Sequence, residues 1–117
     1  MRLKSDIFVA ALTRRVFGLG GFAAVERHGA AEAGAIFVRQ RFRDGLESLY
    51  APAPQYAFGE DDAGGRLFER RLDRVEPADV EALLARESRF DSDLWVVEVE
   101  IGDIGDLLPV ADEGKGS

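Results

Sequence analysis

The segment at residues 95–101 constrains the fold of this chain more than any other part of its sequence. Apolar and acidic side chains alternate along it: one side carries Trp95, Val97, Val99 and Ile101, and the other carries Glu98 and Glu100. Alternation with a period of two is typical of a β-strand that buries one face. Leu94 and Val96 make the second face apolar where the strand begins. We therefore predict a strand that is covered on both faces at its start and open on one face at its glutamate end.

The length and composition of the chain indicate one folded domain without disulfide bonds. The chain has 117 residues, a usual size for a single domain, and 46% of them are apolar, enough for a hydrophobic core. It contains no cysteine, which excludes disulfide bonds and thiolate metal sites. We expect a single α+β domain at residues 1–110 and a polar tail at residues 111–117 that frays.

No segment of the sequence is apolar enough to cross a membrane, since a spanning helix needs about 18 consecutive apolar residues. The apolar run at residues 7–12 is shorter, and Arg14 and Arg15 follow it, which does not match a secretory signal. We therefore expect a cytoplasmic protein that has no membrane partner.

The charge of the chain is unevenly distributed along the sequence. The total is −7, but residues 1–50 hold eight Lys and Arg against five Asp and Glu, whereas residues 51–117 hold seven against seventeen. An acidic protein repels phosphate backbones, so nucleic acid is not an expected partner. The asymmetry would also suit head-to-tail pairing of two copies. One alternative is weak RNA contact through the arginines of the more basic half, which are Arg14, Arg15, Arg27, Arg39, Arg41 and Arg43.

The pattern of apolar residues predicts the element order α-β-β-β-β-α-β. We predict a helix at 6–17 with Ser5 as its N-cap, strands at 22–28, 35–42, 46–51 and 66–72, a helix at 77–88, and the strand at 95–101. A short strand at 7–11 is the alternative to the first helix. A further turn of structure is expected after residue 101. This order favours an antiparallel or mixed sheet of about five strands with both helices on one face.

Two local signals refine the expected sheet. Asp44-Gly45 lies between two extended segments, which predicts a β-hairpin closed by a type I′ turn. The strand at residues 66–72 carries several charges, which indicates an edge strand.

Three motifs that suggest chemistry have simpler structural explanations. Gly18-Leu-Gly-Gly21 follows a helix, so we interpret it as a helix stop and not as a phosphate loop. His28 is the only histidine of the sequence, and we expect it to be a solvated loop residue. Asp91 and Asp93 favour side-chain bonds to a turn over a metal site. The sequence contains no assembled catalytic constellation, and we expect no catalytic residue, no metal and no cofactor.

Charged side chains of two strands form the first candidate binding site. Arg39 and Arg41 lie on one face of the second strand, and Glu98 and Glu100 lie on the open face of the last. Their simplest role is ion pairing between neighbouring strands. The alternative is a small-molecule or metal-binding site of hydrolase type, between these carboxylates and the long loop at residues 52–65.

A Tyr- and Pro-rich segment forms the second candidate site, a recognition surface for another protein. It contains Tyr50, Pro52, Pro54 and Tyr56. Prolines order an extended backbone in advance, and tyrosine offers an amphipathic contact. The alternative is a rigid strand exit with a tyrosine that packs its ring and hydrates its hydroxyl.

Four segments of the sequence together resemble a small bacterial family. They are Arg2-Leu-Lys-Ser5, Ala33-Gly-Ala-Ile-Phe-Val38, Leu49-Tyr-Ala-Pro-Ala-Pro54 and Asp91-x-Asp-Leu-Trp-Val-Val-Glu98. In these segments the chain is similar to the domain of unknown function numbered 1491, which is associated with alphaproteobacteria. The resemblance covers roughly residues 2–101 and implies a compact cytoplasmic α+β domain. It implies no activity, cofactor or site residue.

The sequence therefore favours a non-enzymatic domain that acts through protein contacts, and a homodimer is one form of this hypothesis. The absence of a catalytic constellation and the presence of the Tyr- and Pro-rich segment are its two supports.

Overall fold

The computed structural model of the chain describes residues 3–54 and 66–111, and their elements follow the predicted order. The helices and strands are α1 Ser5–Gly18, β1 Phe22–Arg27, β2 Ile36–Arg41, β3 Glu47–Pro52, β4 Phe68–Val75, α2 Pro77–Phe90 and β5 Trp95–Glu100. The further turn expected after residue 101 is a 3₁₀ turn, Gly105–Leu107. The tail at residues 112–117, which we expected to fray, lies outside the described residues.

The five strands form one mixed sheet, in the order β1-β5-β2-β3-β4. β5 pairs antiparallel with β1 and parallel with β2, whereas β2, β3 and β4 form an antiparallel meander. The parallel pair requires a crossover, since strands that run in the same direction cannot be joined by a tight turn. β3, β4 and α2 supply that crossover, and β5 therefore lies inside the sheet.

The two helices lie on opposite faces of the sheet, and our expectation of both on one face was wrong. On one face, Leu12 and Val16 of α1 pack in a core cluster that contains Trp95. On the other, Val80 of α2 packs in a cluster that contains Val96. Because successive residues of a strand point to opposite faces, an interior strand with apolar residues on both sides needs a helix on each.

α1 is a helix, as predicted, but Ser5 is its first residue and not its N-cap. The side chain of Ser5 is fully buried, and its hydroxyl donates a hydrogen bond to the carbonyl oxygen of Gly34 (2.6 Å). The same hydroxyl oxygen accepts a hydrogen bond from Arg66 (2.9 Å). The serine thus ties the start of the helix to the β1–β2 connection, where it satisfies polar groups that burial has removed from water.

The predicted hairpin between β2 and β3 is present, but its turn is not type I′. The amide of Phe42 donates to the carbonyl of Leu46 (3.0 Å), which leaves a three-residue loop. Gly45 has a positive φ of 91°, whereas Asp44 does not, and a type I′ turn would need both. The longer loop shifts the strand register and places Arg41 opposite Glu47.

β4 is an edge strand, as its charge predicted, and β1 forms the opposite edge of the sheet. Neither helix in the described part of the chain has the length and apolar composition needed to cross a membrane.

Replacing Trp95 with alanine tests the core. Trp95 is 5% exposed, and its indole nitrogen donates a hydrogen bond to the carbonyl of Ala30 (2.8 Å). Removing this side chain should lower the free energy of unfolding by about 3–5 kcal/mol, measured by urea unfolding followed by circular dichroism. Phe90→Ala is the matched control, since Phe90 is 85% exposed and its loss should change the free energy by less than about 0.5 kcal/mol. Equal unfolding midpoints for the two variants would contradict the prediction.

Candidate functional site

A network of charged side chains lies on the face of the sheet that α2 covers. At its centre, Glu47 of β3 is fully buried and contacts two arginines of β2. Nε of Arg39 donates to one carboxylate oxygen of Glu47 (2.6 Å), and Nε of Arg41 donates to the other (3.0 Å). Each oxygen of this carboxylate therefore accepts a hydrogen bond from a different arginine, and the hairpin register brings the three groups together.

Further glutamates complete the network around the two arginines. Arg39 contacts Glu26 of β1 (3.3 Å) and Glu81 of α2 (3.1 Å). Arg41 contacts Glu98 (2.9 Å) and, at 4.0 Å, Glu100. The network thus joins four strands and one helix, and it contains more carboxylates than cations.

Burial and the excess of carboxylates together set the direction of the pKa shifts. Burial by itself would lower the pKa of Arg39, but hydrogen bonds to Glu47 and Glu81 outweigh it, and the pKa is raised. Burial raises the pKa of Glu98 above its ordinary value of 4.5, and the neighbouring carboxyl groups of Glu26 and Glu100 act in the same direction against the attraction of Arg41. The arginines stay charged, whereas Glu98 holds its proton more readily than a solvated glutamate does.

The structure therefore places the four predicted site residues Arg39, Arg41, Glu98 and Glu100 in one network. Arg41 pairs with Glu98 and Glu100. Arg39 pairs with Glu26, Glu47 and Glu81 instead. Two cavities border them, one of about 230 Å³ beside Arg39 and one of about 780 Å³ beside Arg41. The arginine that borders each cavity is already ion-paired with glutamate side chains of the network. The arrangement is that of a structural ion-pair network, which agrees with the simpler interpretation of these residues.

The alternative site between the loop at residues 52–65 and the carboxylates is not formed by the described residues. The loop leaves β3 at Pro52, whereas the network surrounds Glu47 at the other end of the same strand. Five residues of extended strand separate these ends by about 16 Å. Residues 55–65, which include Tyr56, lie outside the described part of the chain. Within that part, no three His, Asp or Glu side chains form a group that could hold a metal ion.

The Tyr- and Pro-rich segment is only partly at the surface. Tyr50 is 3% exposed and belongs to the core on the α1 face, where its hydroxyl donates to the side-chain oxygen of Gln40 (3.0 Å). The prediction of Tyr50 as a recognition residue was therefore wrong, because the alternation of β3 turns it inward. Pro52 and Pro54 are half-buried, which suits the alternative interpretation of a rigid strand exit.

The remaining sequence motifs have the structural roles that were expected of them. The carboxylate of Asp91 accepts a hydrogen bond from the amide of Asp93 (3.0 Å), which is the predicted turn. His28 is exposed, and its ring lies 5.2 Å from that of Trp95. Gly20 has a positive φ of 89° in the turn that ends α1.

The six arginines that suggested RNA contact do not form one basic face. Arg39 and Arg41 are held in the network on the α2 side, whereas Arg14 projects from α1 on the opposite side of the sheet. Arg15 and Arg27 donate hydrogen bonds to the backbone oxygens of Asp106 and Ser92 at 3.0 and 3.1 Å. A phosphate backbone needs a contiguous basic surface, and this distribution does not supply one.

An apolar groove between α1 and β1 is the second notable surface, and the sequence reasoning missed it. We call it the α1–β1 groove. Its volume is about 550 Å³, and its lining includes Ala10, Thr13 and Phe17 from α1 and Val25, His28 and Trp95 from the sheet. The available signal was the spacing of residues 6, 10, 13 and 17, a stripe at helical spacing on the flank of α1 beside its buried residues. We had assigned α1 only one apolar face.

The chemistry of the α1–β1 groove is that of a contact surface. Its walls are mainly aliphatic and aromatic, with Asp6 and Arg14 on the helix side and His28 near the end of β1. The neighbouring strand β1 is a sheet edge, so one side of its backbone has no strand beside it among the described residues. An edge strand next to an apolar groove can accept a polypeptide both by main-chain hydrogen bonds and by side-chain packing.

Comparisons with known proteins give a family and no activity. The family model described as a protein of unknown function (DUF1491) matches residues 3–109. Protein Atu0922 from A. tumefaciens, known as a solution structure, is 62% identical, with a TM-score of 0.83 over 94% of this chain and 95% of that one.

Two structures of a DUF1491 family protein from Caulobacter crescentus are also similar to the chain. The crystal structure is 36% identical, with a TM-score of 0.76 over 94% of this chain and 98% of that one. The solution structure by NMR is 37% identical, with a TM-score of 0.75 over 94% and 97%. No curated protein matches the chain.

Replacing Glu47 with glutamine tests the centre of the network. The substitution keeps the volume but leaves the two arginines without the buried charge that both contact, so the free energy of unfolding should fall by about 3–5 kcal/mol. Glu100→Gln is the control, because Glu100 is 46% exposed and 4.0 Å from Arg41, and it should cost less than about 1 kcal/mol. Urea unfolding at neutral pH measures both, and similar losses in the two variants would contradict a structural centre at Glu47.

Glu98 should make the stability of the fold fall as the pH rises above about 4.5. Its pKa is raised in the folded protein, mainly by burial, so the folded state binds this proton more tightly than the unfolded state. The resulting stabilisation is complete below the unfolded pKa and is lost as the pH rises through the folded one. Glu98→Gln should remove this slope, so its stability relative to the wild type should improve between about pH 4 and about pH 7. A difference that stays constant across this range would contradict the prediction.

Proposed function

The chain belongs to the DUF1491 family, whose function is unknown, and we propose that it is a non-enzymatic cytoplasmic domain that acts through protein contacts at the α1–β1 groove. The observation that carries this proposal is the position of an apolar groove beside an edge strand. The two features together offer a partner side-chain burial and backbone hydrogen bonds at one place.

The distribution of exposed apolar side chains supports the same surface. The large apolar residues that are exposed in the described part of the chain are Leu3, Ile7, Phe17, Leu19, Phe22 and Phe90. Five of these six lie in α1, beside its start, or in the turn and first strand residue that follow it. Isolated exposed apolar residues are ordinary, but a concentration in one helix and the strand that follows it is typical of an interaction surface. Phe17 lines the α1–β1 groove itself, and Leu19 and Phe22 line the cavity beside Arg41.

The charged network supports the proposal by not offering a rival site. A binding site for an anion needs cations that are available to it, and a hydrolytic site needs a nucleophile or base aimed at an open cavity. Arg39 and Arg41 are instead held by Glu47 and by further glutamates at 2.6–4.0 Å. A surface that recognises another protein chain requires none of these catalytic groups.

Site-specific photo-crosslinking tests the proposed surface. A photoreactive amino acid at Ala10, which is exposed on the groove side of α1, should give covalent protein adducts in the cell that naturally makes this protein. Ala82, which is exposed on α2, is the matched control position and should give far fewer. Equal adduct formation at the two positions, or none at Ala10, would contradict the proposal.

A further inference from the structure

We propose that the occupant of the α1–β1 groove is a second copy of this chain, joined through α1 and β1 about one two-fold axis. This inference rests on the proposed function and names the partner. It follows from the internal geometry of the helix–strand pair, from the charges on α1, and from the difference between the two edges of the sheet.

The helix and the strand have the same length and run in opposite directions. Residues 6–17 of α1 and residues 22–27 of β1 each span about 16 Å. At one end, the rings of Phe17 and Phe22 lie 5.7 Å apart. At the other end, Asp6 and His28 line the same groove, and the amide of Asp6 donates to the carbonyl of Ala31 (3.0 Å), shortly after β1. The midpoint of α1 therefore lies above the midpoint of β1.

One axis can then serve both elements. A two-fold axis normal to the sheet, level with the common midpoint and just outside the free edge of β1, pairs β1 antiparallel with β1 of the second copy. The same axis sets the two α1 helices antiparallel, with Ala10 opposite Thr13 of the second copy. Because α1 lies above β1 and β5, and strands are about 4.8 Å apart, the two helix axes come to about 10 Å, a normal packing distance. If the midpoints of α1 and β1 did not coincide, one axis could pair the two strands or the two helices, but not both.

The face that α1 turns toward the axis is suited to helix packing. Its groove-lining residues include positions 6, 10, 13 and 17, spaced as on the apolar side of a packed helix. Ala10 and Thr13 are small and lie at the centre, where the two helices approach most closely. Phe17 is 50% exposed and lies at the end, where the two-fold axis directs it to His28 and Trp95 of the second copy. Each groove is thus filled by an aromatic side chain of the other copy.

The charges of α1 are complementary to themselves under this symmetry. Arg14 lies level with Val9 of the second copy, about 4.5 Å along the helix axis from Asp6 of that copy. An arginine side chain reaches this distance, so each Arg14 pairs with the opposite Asp6, and the pair occurs twice. Arg14 and Asp6 are both exposed in the single chain.

The opposite edge of the sheet is protected along its length, whereas β1 has its charges and its bulge only at its last residues. β4 carries alternating charges, and the backbone of Phe68 is hydrogen-bonded to residues 109 and 111 at 2.8 and 2.7 Å. Charges and covering segments are the usual ways in which proteins prevent edge pairing. The first four residues of β1, Phe22 to Val25, carry no charge. The free edge that remains is the one beside the groove.

Charge reversal with mixing is the decisive experiment. Asp6→Arg and Arg14→Asp each place like charges opposite one another in the symmetric pair, so each variant alone should dimerise at least about tenfold more weakly than the wild type. An equimolar mixture restores both ion pairs and should regain a dissociation constant within about threefold of the wild type. Arg89→Asp, on the exposed end of α2, is the charge-matched control and should dimerise normally. Sedimentation equilibrium measures the wild type, the three variants and the mixture, and circular dichroism confirms that each is folded.

A steric variant and the crosslinking experiment separate the possible failures. Ala10→Arg keeps a good helix former but blocks the axis, so it should be monomeric with an unchanged α-helix signal. A wild-type chain that is monomeric at about 50 μM would overturn the dimer, as would a mixture that fails to regain association. If the wild type is monomeric while the photoreactive residue at Ala10 captures a different protein, the contact function stands and the second copy is not its partner. If Ala10 captures nothing, the proposed function itself fails.

Discussion

The insertion of β5 between β1 and β2 is the constraint on which the rest of this structure depends. An interior strand must bury both of its faces, so the layer formed by α1 covers the side of Trp95, and the layer formed by α2 covers the side of Leu94 and Val96. The same insertion displaces β1 to the edge of the sheet, with α1 above it. The two candidate sites, the ion-pair network and the α1–β1 groove, are both consequences of this single choice of topology.

On the α2 side the sheet is divided into an apolar and a charged half. The apolar half lies under the helix, and the charged half is closed by carboxylates that surround Arg39 and Arg41. Glu47 holds the centre because it is the one carboxylate of the network with no exposed surface. Buried ion pairs contribute little net stability relative to an apolar core, but removing one member is costly. The network should therefore affect the stability of the fold chiefly through the cost of removing one of its members.

On the α1 side the main surface feature is the apolar α1–β1 groove. A groove with small residues at its centre and aromatic residues at its ends, next to a strand edge, has the features of an interface between polypeptides. Because the midpoints of α1 and β1 coincide, the proposed interface has one specific geometry, in which a single two-fold axis pairs both elements with a second copy. The proposed function depends on a surface relation between two chains, which no list of reactive side chains would reveal.

The sequence by itself determined the elements, their order, and the burial of Trp95, because local periodicity records which side of a strand or helix meets the core. It also indicated that β4 is an edge and that Arg41 belongs with Glu98 and Glu100, since their charges need partners. Only the tertiary structure decided that the helices lie on opposite faces, that Tyr50 points inward, and that a groove lies beside β1. These facts depend on strand order and on a one-residue change of register in the hairpin, and neither is encoded in the pattern of any one segment. A shift of one residue in register exchanges the two faces of a strand. Contacts between distant segments therefore had to decide which face of the sheet each residue occupies, because the local pattern does not.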